Sequence, residues 1–365
     1  MPMPRSPDFW EGTGVDDHFM RRAIDLAARG LGTTSPNPVV GCVITSAGGS
    51  VVGEGFHAAA GGPHAEIWAL REAGELARGG TAYVTLEPCD HHGRTGPCSE
   101  ALLKAGIARV VVAVPDPNPV AAGGLKRLRH EGVAVESGLL RAEAERGNAH
   151  WLTYTRLRRP FVTWKFAATL DGRSAAADGT SQWITSPEAR ADVHRLRGQH
   201  DAIMAGIGTV LADDPHLTVR PGPATPLRVV VDSEGRTPPG AKVLDGAAPT
   251  LLAVGADVPR EDALRVPRGP HGLDLPALLT ELHRRQIVSV FLEGGPTLAG
   301  SFLRTGLVDR VVAYLAPAFL GSGAAALGDA GVTGVGGIHR WEFEDVVPIG
   351  PDLRVTARPA PPKEN

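Results

Sequence analysis

Three short motifs in the first hundred residues carry side chains that bind metals. They are His64-Ala65-Glu66, Pro88-Cys89 and Pro97-Cys98. Zinc accepts imidazole and thiolate ligands in a tetrahedral arrangement, and one histidine with two cysteines leaves the fourth position to water. We therefore predict that His64, Cys89 and Cys98 bind one Zn²⁺ ion in a hydrolytic site.

Glu66 is the expected acid–base group of this site. It lies two residues after His64 and need not bind the metal, but it can move a proton from zinc-activated water to a ring nitrogen and then to a departing amine. This chemistry is hydrolytic deamination of an amidine-like ring carbon. Nucleobase deaminases combine H-x-E with P-C-x-x-C, whereas here eight residues separate Cys89 from Cys98. The short-loop cytidine and adenosine deaminases therefore fit poorly.

A structural zinc site is the alternative interpretation of the same residues. Such a site fills all four positions with protein ligands, and Asp90, His91 or His92 would have to supply the fourth. These three are more simply explained as loop residues near the substrate. Cys42 lies within an apolar run and is expected to be a small buried hydrophobe.

Two glycine-rich segments in the second half of the chain follow predicted strands. Residues 205–211 (AGIGTVL) have the first two glycines of the Rossmann fingerprint but Leu211 in place of the third, which makes them a weak match. Residues 293–298 (EGGPTL) combine a glycine turn with a helix that has proline near its first turn, which suits phosphate binding by free helix N–H groups. The two glycines are equally consistent with a tight turn alone.

Alternating strands and helices are needed to bring these motifs together, and the periodicity predicts them in both halves. In the first half we expect helices at 16–29, 64–78, 99–105 and 124–131, a hairpin of 39–44 with 51–55, and strands at 81–86, 109–114 and 133–136. In the second half we expect strands at 161–167, 202–205, 227–232, 250–254, 289–292 and 310–315. The alternation predicts an α/β fold with sheets covered on both faces.

The length of 365 residues suffices for two domains at roughly 150 residues each. We place the zinc-site domain at 1–147, a linker at 148–160, the second domain at 161–358 and a frayed tail at 359–365. The segments 221–226, 234–249 and 266–272 are rich in glycine and proline and are expected to be surface loops.

The composition excludes several classes of protein. Charged residues make up 21% and hydrophobic residues 42%, which is typical of a folded globular chain. A formal charge of −3 provides no positive field for nucleic acid or an anionic membrane. No apolar segment has the length of a signal peptide or a bilayer span, so we expect a cytoplasmic location. Three cysteines favour thiol or metal chemistry over a disulfide framework.

Seven segments taken together resemble the bifunctional deaminase/reductase family of riboflavin biosynthesis. They are SPNPVVGCVI (35–44), GGPHAE (61–66), TLEPCDHHGRTGPC (85–98), KFAATLDGR (165–173), SQWITSPEAR (181–190), LADDPHLTVR (211–220) and EGGPTLAG (293–300). The resemblance implies a cytidine-deaminase-like three-layer α/β/α domain followed by a dihydrofolate-reductase-like α/β domain. It also implies zinc-dependent deamination of 2,5-diamino-6-ribosylamino-4(3H)-pyrimidinone 5′-phosphate. NADPH-dependent reduction of the ribosyl group to ribityl then gives 5-amino-6-ribitylamino-uracil 5′-phosphate.

Contacts of the reductase site also follow from the resemblance. Matching NADPH contacts are Ala167, Trp183, Thr209, Asp213, Ser233, Gly295, Pro296, Thr297, Leu298, Ala299, Gly300 and Ser301. Matching substrate contacts are Ser181, Arg197, Leu217, Arg220 and Glu293, and the loop with Asn37 borders the base pocket in related deaminases. Arg197 and Arg220 suit the 5′-phosphate because a guanidinium fork matches phosphate oxygens. Lys165 and Glu293 are candidates for polarising or protonating the sugar.

Several of these residues have simpler interpretations when taken alone. Asn37 suits a turn, Trp183 a core position, residues 185–188 a helix cap and residues 213–215 a turn. Two other functions also stay open: a zinc deaminase of another nucleoside or tRNA fused to an unrelated nucleotide-binding domain, and a zinc-stabilised nucleotide sensor without turnover. The long Cys–Cys loop and the acidic charge disfavour the first, and Glu66 with an open ligand position disfavours the second. The family resemblance further implies a homo-oligomer.

Overall fold

The computed structural model describes residues 14–92 and 96–361. The chain divides into two compact units, Met1–Arg156 and Leu157–Asn365. The division falls within the segment 148–160, which the sequence analysis assigns to a linker and which is largely helical over Ala149–Leu157.

In the first unit, a sheet lies between two layers of helices. Its helices are α1 (Gly14–Ala28), α2 (Ala65–Ala73), α3 (Cys98–Ala105), α4 (Gly124–His130), α5 (Arg141–Gly147) and α6 (Ala149–Leu157). Its strands are β1 (Gly41–Thr45), β2 (Val51–Phe56), β3 (Thr81–Leu86), β4 (Arg109–Val114) and β5 (Ala134–Ser137). The described strands form a five-stranded sheet in the order β2-β1-β3-β4-β5, with β3, β4 and β5 parallel. Helices α1 and α5 pack together on one side, and α2, α3 and α4 form the other layer.

The central strands explain why this sheet needs two helical layers. Strands β3 (TAYVTL) and β4 (RVVVAV) are buried at every position after the first. Parallel strands buried on both faces have such continuous apolar runs. Cys42 lies fully buried in the core between β1 and α2, which confirms its expected role as a small hydrophobe. The three-layer α/β/α architecture expected for this half of the chain is confirmed.

Two glycines of β2 let helix α2 lie directly against the sheet. A Cβ atom on Gly55 would fall 2.2 Å from the carbonyl oxygen of Ala65, and one on Gly53 would fall 2.1 Å from that of Ala69. Ala65 lies between His64 and Glu66, so this close approach fixes the start of α2 and both side chains.

We expect Gly55→Ala to push the start of α2 away from the sheet. Overpacking of this kind costs about 1–3 kcal/mol, and the displacement of His64 should also lower zinc content. Urea unfolding and metal analysis of the purified variant measure the two effects. Gly48→Ala is the matched control, because its new Cβ would meet nothing nearer than the Ser46 hydroxyl at 3.7 Å. If Gly55→Ala kept both normal stability and normal zinc content, the proposed role of the close approach would be wrong.

A larger mixed sheet forms the second unit. Its strands are β6 (Phe161–Thr169), β7 (Ala202–Gly206), β8 (Leu227–Val231), β9 (Thr250–Gly255), β10 (Ala263–Val266), β11 (Arg268–Gly269), β12 (Gly272–Leu273), β13 (Ser289–Leu292), β14 (Arg310–Ala316), β15 (Trp341–Ile349) and β16 (Asp352–Pro359). Its helices are α7 (Pro187–Arg197), α8 (Ile207–Asp213), α9 (Leu275–Arg284) and α10 (Pro296–Arg304). The described strands form a nine-stranded sheet in the order β10-β9-β8-β7-β13-β6-β14-β16-β15, and β11 pairs only with β12.

The first seven strands in this order run parallel: β10, β9, β8, β7, β13, β6 and β14. Strands β16 and β15 add an antiparallel edge. Parallel strands end at a common edge, and ligands bind there in open α/β sheets. The glycine-rich segments after β7 and β13 therefore lie at the same edge. Helix α7 begins as predicted, since the Ser186 hydroxyl accepts a hydrogen bond from the Ala189 N–H.

The C-terminal part of the chain differs from expectation. Pro359 ends β16 and the Ala360 N–H donates to the Arg340 carbonyl, so these first two residues of the expected frayed tail are ordered, while 362–365 lie outside the described residues. Within the expected loop 234–249, Thr237, Ala241 and Val243 are buried. No described helix has the length and apolarity that a bilayer crossing requires.

Candidate active sites

In the first unit, His64, Cys89 and Cys98 come together. His64 immediately precedes α2, Cys89 follows β3, and Cys98 is the first residue of α3. The Sγ atoms of Cys89 and Cys98 lie 3.5 and 3.3 Å from His64 Nδ1. One ligand atom from each residue lies within 4.8 Å of the other two, which suits a single ion.

The chemistry of the three donors fits zinc. A hydrogen bond from the Cys98 thiol lowers the pKa of Cys89 well below the usual thiol value, and the hydrogen bond to Cys89 together with burial raises the pKa of Cys98. Among the described residues, no fourth histidine, cysteine or carboxylate joins the group. Two sulfurs and one imidazole with a fourth position left to water are the pattern of catalytic zinc sites.

The residues that a structural zinc site would need as a fourth ligand are placed elsewhere. Asp90 Oδ1 accepts hydrogen bonds from the Ser99 hydroxyl at 2.5 Å and from Arg127 Nη1 at 3.0 Å. His92 Nε2 lies 3.8 Å from Glu100 Oε1. Neither these residues nor His91 belongs to the ligand group formed by the described part of the chain. The structural interpretation is therefore disfavoured.

Glu66 lies in the first turn of α2 and is almost fully buried, with 3% of its surface exposed. Burial raises the pKa of its carboxyl group above the usual value, although the nearby His64 opposes this shift. The Cys98 side chain also lowers this pKa. A buried carboxyl group with a raised pKa next to the ligand cluster is suited to accept and return a proton.

The spacing of motifs did not identify three further polar residues near this site. The Glu87 carboxylate accepts hydrogen bonds from the backbone N–H groups of Asp116, Gly123 and Leu125, at 3.0, 2.9 and 3.1 Å. Burial raises the pKa of Asp116 to about 6, and the charges of Glu87 and Cys89 add to the shift. The His57 ring lies 5.5 Å from the His64 ring. Isolated residues at strand ends and in loops lack a repeating pattern, so only the fold reveals their proximity.

Asn37 lies in an exposed turn in which its N–H donates to the Thr34 carbonyl at 2.8 Å. The backbone of Asn37 therefore forms a turn, as its residue type suggests. Its expected contact with the substrate base stays a prediction.

At the carboxyl edge of the large sheet, the second unit has a cavity of about 900 Å³. The expected contacts that line it are Lys165, Ala167, Ser181, Trp183, Arg197, Thr209, Asp213, Leu217, Arg220, Ser233, Glu293, Gly295, Pro296, Thr297, Leu298 and Ser301. Ala299 and Gly300 lie on the opposite side of α10. Ala299 packs into the core, and a Cβ on Gly300 would fall 2.3 Å from the Asp329 carbonyl oxygen.

A group of three charged residues lies in the wall of this cavity. Arg197 forms a bidentate ion pair with Glu293, in which Nη2 lies 3.0 Å from Oε2, and Lys165 Nζ lies 3.7 Å from the same oxygen. Burial alone would raise the pKa of Glu293, but the charges of Arg197 and Lys165 lower it to about 2. Glu293 is therefore an ionised anchor for two cations. Arg197 also donates to the Thr218 carbonyl at 2.8 Å.

The glycine turn after β13 leads directly into a helix, as predicted, and phosphate binding there stays a prediction. Helix α10 starts at Pro296, directly after Gly295. The Gly295 N–H donates to the Thr209 hydroxyl at 3.1 Å, which brings the two glycine-rich segments side by side. Trp183 has 69% of its surface exposed in this cavity, and the Arg190 guanidinium lies 4.4 Å from its ring centroid. The interpretation of Trp183 as a core residue is therefore wrong.

Known proteins resemble both units. Residues 14–114 match the family model of the cytidine and deoxycytidylate deaminase zinc-binding region, and residues 160–355 match the RibD C-terminal domain. The riboflavin biosynthesis protein RibD of Escherichia coli is 46% identical over 359 residues, covering 93% of this chain and 98% of that protein. Its namesake in Mycobacterium tuberculosis is 46% identical over 343 residues, covering 92% and 95%.

Solved structures show the same likeness over most of the chain. Acinetobacter baumannii RibD superposes with a TM-score of 0.85 at 41% identity, covering 95% of this chain and 99% of that one. The diaminohydroxyphosphoribosylaminopyrimidine deaminase/5-amino-6-(5-phosphoribosylamino)uracil reductase of Thermotoga maritima gives a TM-score of 0.86 at 34% identity, with the same coverage.

Proposed function

This chain belongs to the RibD family of riboflavin biosynthesis, and we propose that it catalyses two successive reactions, one in each unit. The first is hydrolytic deamination of 2,5-diamino-6-ribosylamino-4(3H)-pyrimidinone 5′-phosphate, and the second is reduction of the ribosyl group by NADPH. The observation that carries the proposal is the convergence of His64, Cys89 and Cys98 beside the buried Glu66.

In the first unit, three residues bind the metal and a fourth transfers protons. His64, Cys89 and Cys98 hold zinc, which supplies the Lewis acid that activates water. Glu66 takes one proton from the attacking water and gives it to a ring nitrogen; it then takes the second proton from the hydroxyl added to the ring carbon and gives it to the departing amine, so that both protons come from the water. Its burial keeps bulk water away from this exchange.

In the second unit, the charged residues of the cavity wall act on the sugar. NADPH supplies the hydride. Lys165 holds a proton on Nζ for the ring oxygen of the ribose, and burial lowers the pKa of this group, which favours its release. Glu293 orients Lys165 and Arg197. Because Arg197 is already paired with Glu293, we assign the substrate phosphate chiefly to Arg220, with Ser181, Leu217 and the Arg197 edge completing the pocket.

Asn37 borders the deaminase base pocket. The cofactor contacts that we propose are those of the expected set that line the cavity: Ala167, Trp183, Thr209, Asp213, Ser233, Gly295, Pro296, Thr297, Leu298 and Ser301. The substrate is a small phosphorylated pyrimidine rather than a nucleic acid, and we assign the protein to the cytoplasm as a homo-oligomer. A deaminase fused to an unrelated nucleotide-binding domain is not favoured, because the second unit matches the RibD C-terminal domain.

The direct test supplies purified protein with the diaminopyrimidine and NADPH and follows ammonia release and NADPH absorbance separately. We expect both signals. Ammonia release from cytidine, with none from the phosphorylated pyrimidine, would instead support the deaminase of another nucleoside.

Removal of zinc should separate the two activities. After dialysis against a chelator, ammonia release should fall to background, because the ion that His64, Cys89 and Cys98 would hold, and that would polarise the water, has been removed. NADPH consumption on the already deaminated intermediate should continue, since the reductase cavity lies within the second unit. Added Zn²⁺ should restore ammonia release. Undiminished ammonia release by metal-free protein would contradict the proposed mechanism.

A further inference from the structure

The two cysteines of the zinc site lie far apart in the chain. Eight residues separate Cys89 from Cys98, whereas a C-x-x-C motif has two between its cysteines. A loop of this length leaves the distance between its ends free to vary, and holding the ends together costs chain entropy. Contacts outside the loop therefore set the separation of the two sulfur atoms.

The residues that follow the two cysteines are hydrogen-bonded to each other. The Ser99 N–H donates to the Cys89 carbonyl at 3.2 Å, and the Ser99 hydroxyl donates to Asp90 Oδ1 at 2.5 Å. Ser99 is completely buried, which shields both bonds from water. These bonds tie the start of α3 to the segment that follows β3.

A single guanidinium group spans this link from α4. Arg127 Nη1 donates to Asp90 Oδ1 and Nη2 donates to Glu100 Oε1, each at 3.0 Å. Asp90 directly follows Cys89, and Glu100 is the second residue after Cys98. The planar fork of an arginine fixes two such acceptors relative to each other, which the point charge of a lysine does not. Arg127 therefore fastens both cysteine segments to one helix.

Helix α4 provides a fixed base for this guanidinium. A Cβ atom on Gly124 would fall 1.8 Å from the Pro88 carbonyl oxygen, so the start of the helix lies directly against the first cysteine segment. The Asp90 N–H donates to the Ala121 carbonyl at 3.1 Å, just before the helix. Leu128 is fully buried in a core that α4 shares with α3. The helix is thus held in place by contacts that do not involve the guanidinium.

An ordinary surface ion pair is the alternative explanation of the same contacts. The side chains of Arg127, Asp90 and Glu100 are 35%, 23% and 26% exposed, and ion pairs of this kind contribute little to global stability. Outer residues that orient metal ligands, by contrast, typically change metal affinity roughly 10- to 100-fold when they are replaced. Both explanations predict a small change in stability, but only the second predicts a change in zinc affinity.

We propose that Arg127 is a positioning residue of the zinc site, which holds Cys89 and Cys98 at the separation that one ion requires. The inference rests on the proposed deaminase function and goes beyond it by naming a residue outside the ligand set that controls zinc affinity. Arg127 acts through Asp90 and Glu100 and is not a catalytic residue. Its loss leaves all three ligands in the chain but loosens the distance between the two sulfurs.

The test measures the zinc affinity of full-length Arg127→Met by competition for Zn²⁺ with a chromophoric chelator. We expect the Kd for Zn²⁺ to rise roughly 10- to 100-fold. The zinc concentration for half-maximal ammonia release should rise by the same factor, while the urea midpoint of the zinc-free protein should change little. Arg127→Lys keeps the charge but not the fork, so it should recover only part of the affinity, and it carries the same test if Arg127→Met folds poorly.

Arg129→Met is the matched control, because Arg129 is exposed in the same last turn of α4. It removes an equal charge from the same helix end and should leave the Kd for Zn²⁺ unchanged. A Kd for Arg127→Met within about twofold of the unsubstituted value, or an equal rise in Arg129→Met, would overturn the assignment. Failure of the deaminase function itself would look different, since the unsubstituted protein would then bind Zn²⁺ but release no ammonia.

Discussion

Replacement of Glu66 by Gln should lower ammonia release by roughly 100- to 10,000-fold, the usual contribution of a positioned acid–base group. The amide has almost the same shape, but it cannot accept a proton from water. Because burial already favours the neutral form of Glu66, a neutral amide should be tolerated in the same place. The loss should therefore fall on kcat, with zinc content and unfolding midpoint close to those of the unsubstituted protein.

The measurement follows ammonia from the diaminopyrimidine and NADPH loss on the deaminated intermediate in the same preparation. Glu66→Gln should change only the first. Glu75→Gln, an exposed residue in the segment that follows α2, is the matched control and should retain both activities. Persistence of ammonia release in Glu66→Gln would show that another group transfers the proton.

Replacement of Glu293 by Gln should damage the second unit in both stability and catalysis. It leaves Lys165 and Arg197 as buried cations without their shared anion, and breaking a buried charge group in this way costs about 3–5 kcal/mol. Reduction of the sugar should fall with it, since Lys165 loses the carboxylate that orients it. Ammonia release should be retained, because the zinc ligands belong to the other unit.

The pH dependence provides a second readout for Glu293. Its pKa in the folded protein is about 2, below the value of 4.5 for the free side chain. A carboxyl group with a lowered pKa stabilises the fold above its unfolded pKa, and this contribution is lost as the pH falls from about 4.5 towards 2. The stability difference between the unsubstituted protein and Glu293→Gln should therefore be constant above about pH 5 and shrink below it.

Hydrogen exchange of the segment 289–304 measures this difference within the second unit alone. Glu261→Gln, at an exposed position on the same unit, should leave the exchange rates unchanged. A difference that does not vary between pH 6 and pH 3 would show that Glu293 does not stabilise the fold as a carboxylate.

The zinc group was predictable from the sequence because residue type alone restricts the chemistry. Few combinations other than a metal site explain one histidine and two cysteines with a nearby glutamate. Strand β3, which ends shortly before Cys89, has a continuous apolar run. The α/β class was also predictable, because apolar strand segments alternate with helical segments along the chain. The hairpin of β15 and β16 was not, because its residues are largely half-exposed or exposed and lack a buried face with a clear period.

The ion pairs of the reductase cavity could not be predicted from the sequence either. Arg197 and Arg220 both looked suited to a phosphate, but Arg197 is paired with Glu293, which lies 96 positions away. Glu234, at the rim of the same cavity, is bound by Arg268, which lies 34 positions away in the chain. Such pairings depend on long-range packing, which single-sequence patterns do not encode.

The contact of helix α2 with the glycines of β2 bears on the metal-free state of the protein. The backbone atoms of the helix rest on those of the strand, and Cys89 and Cys98 are carried by a strand end and a helix start with their own buried core. In small zinc fingers the ion supplies the folding energy. Here the packing of α2 on β2 and a buried core hold the elements that carry the donors, so we expect the apoprotein to keep its fold and to exchange its ion without refolding.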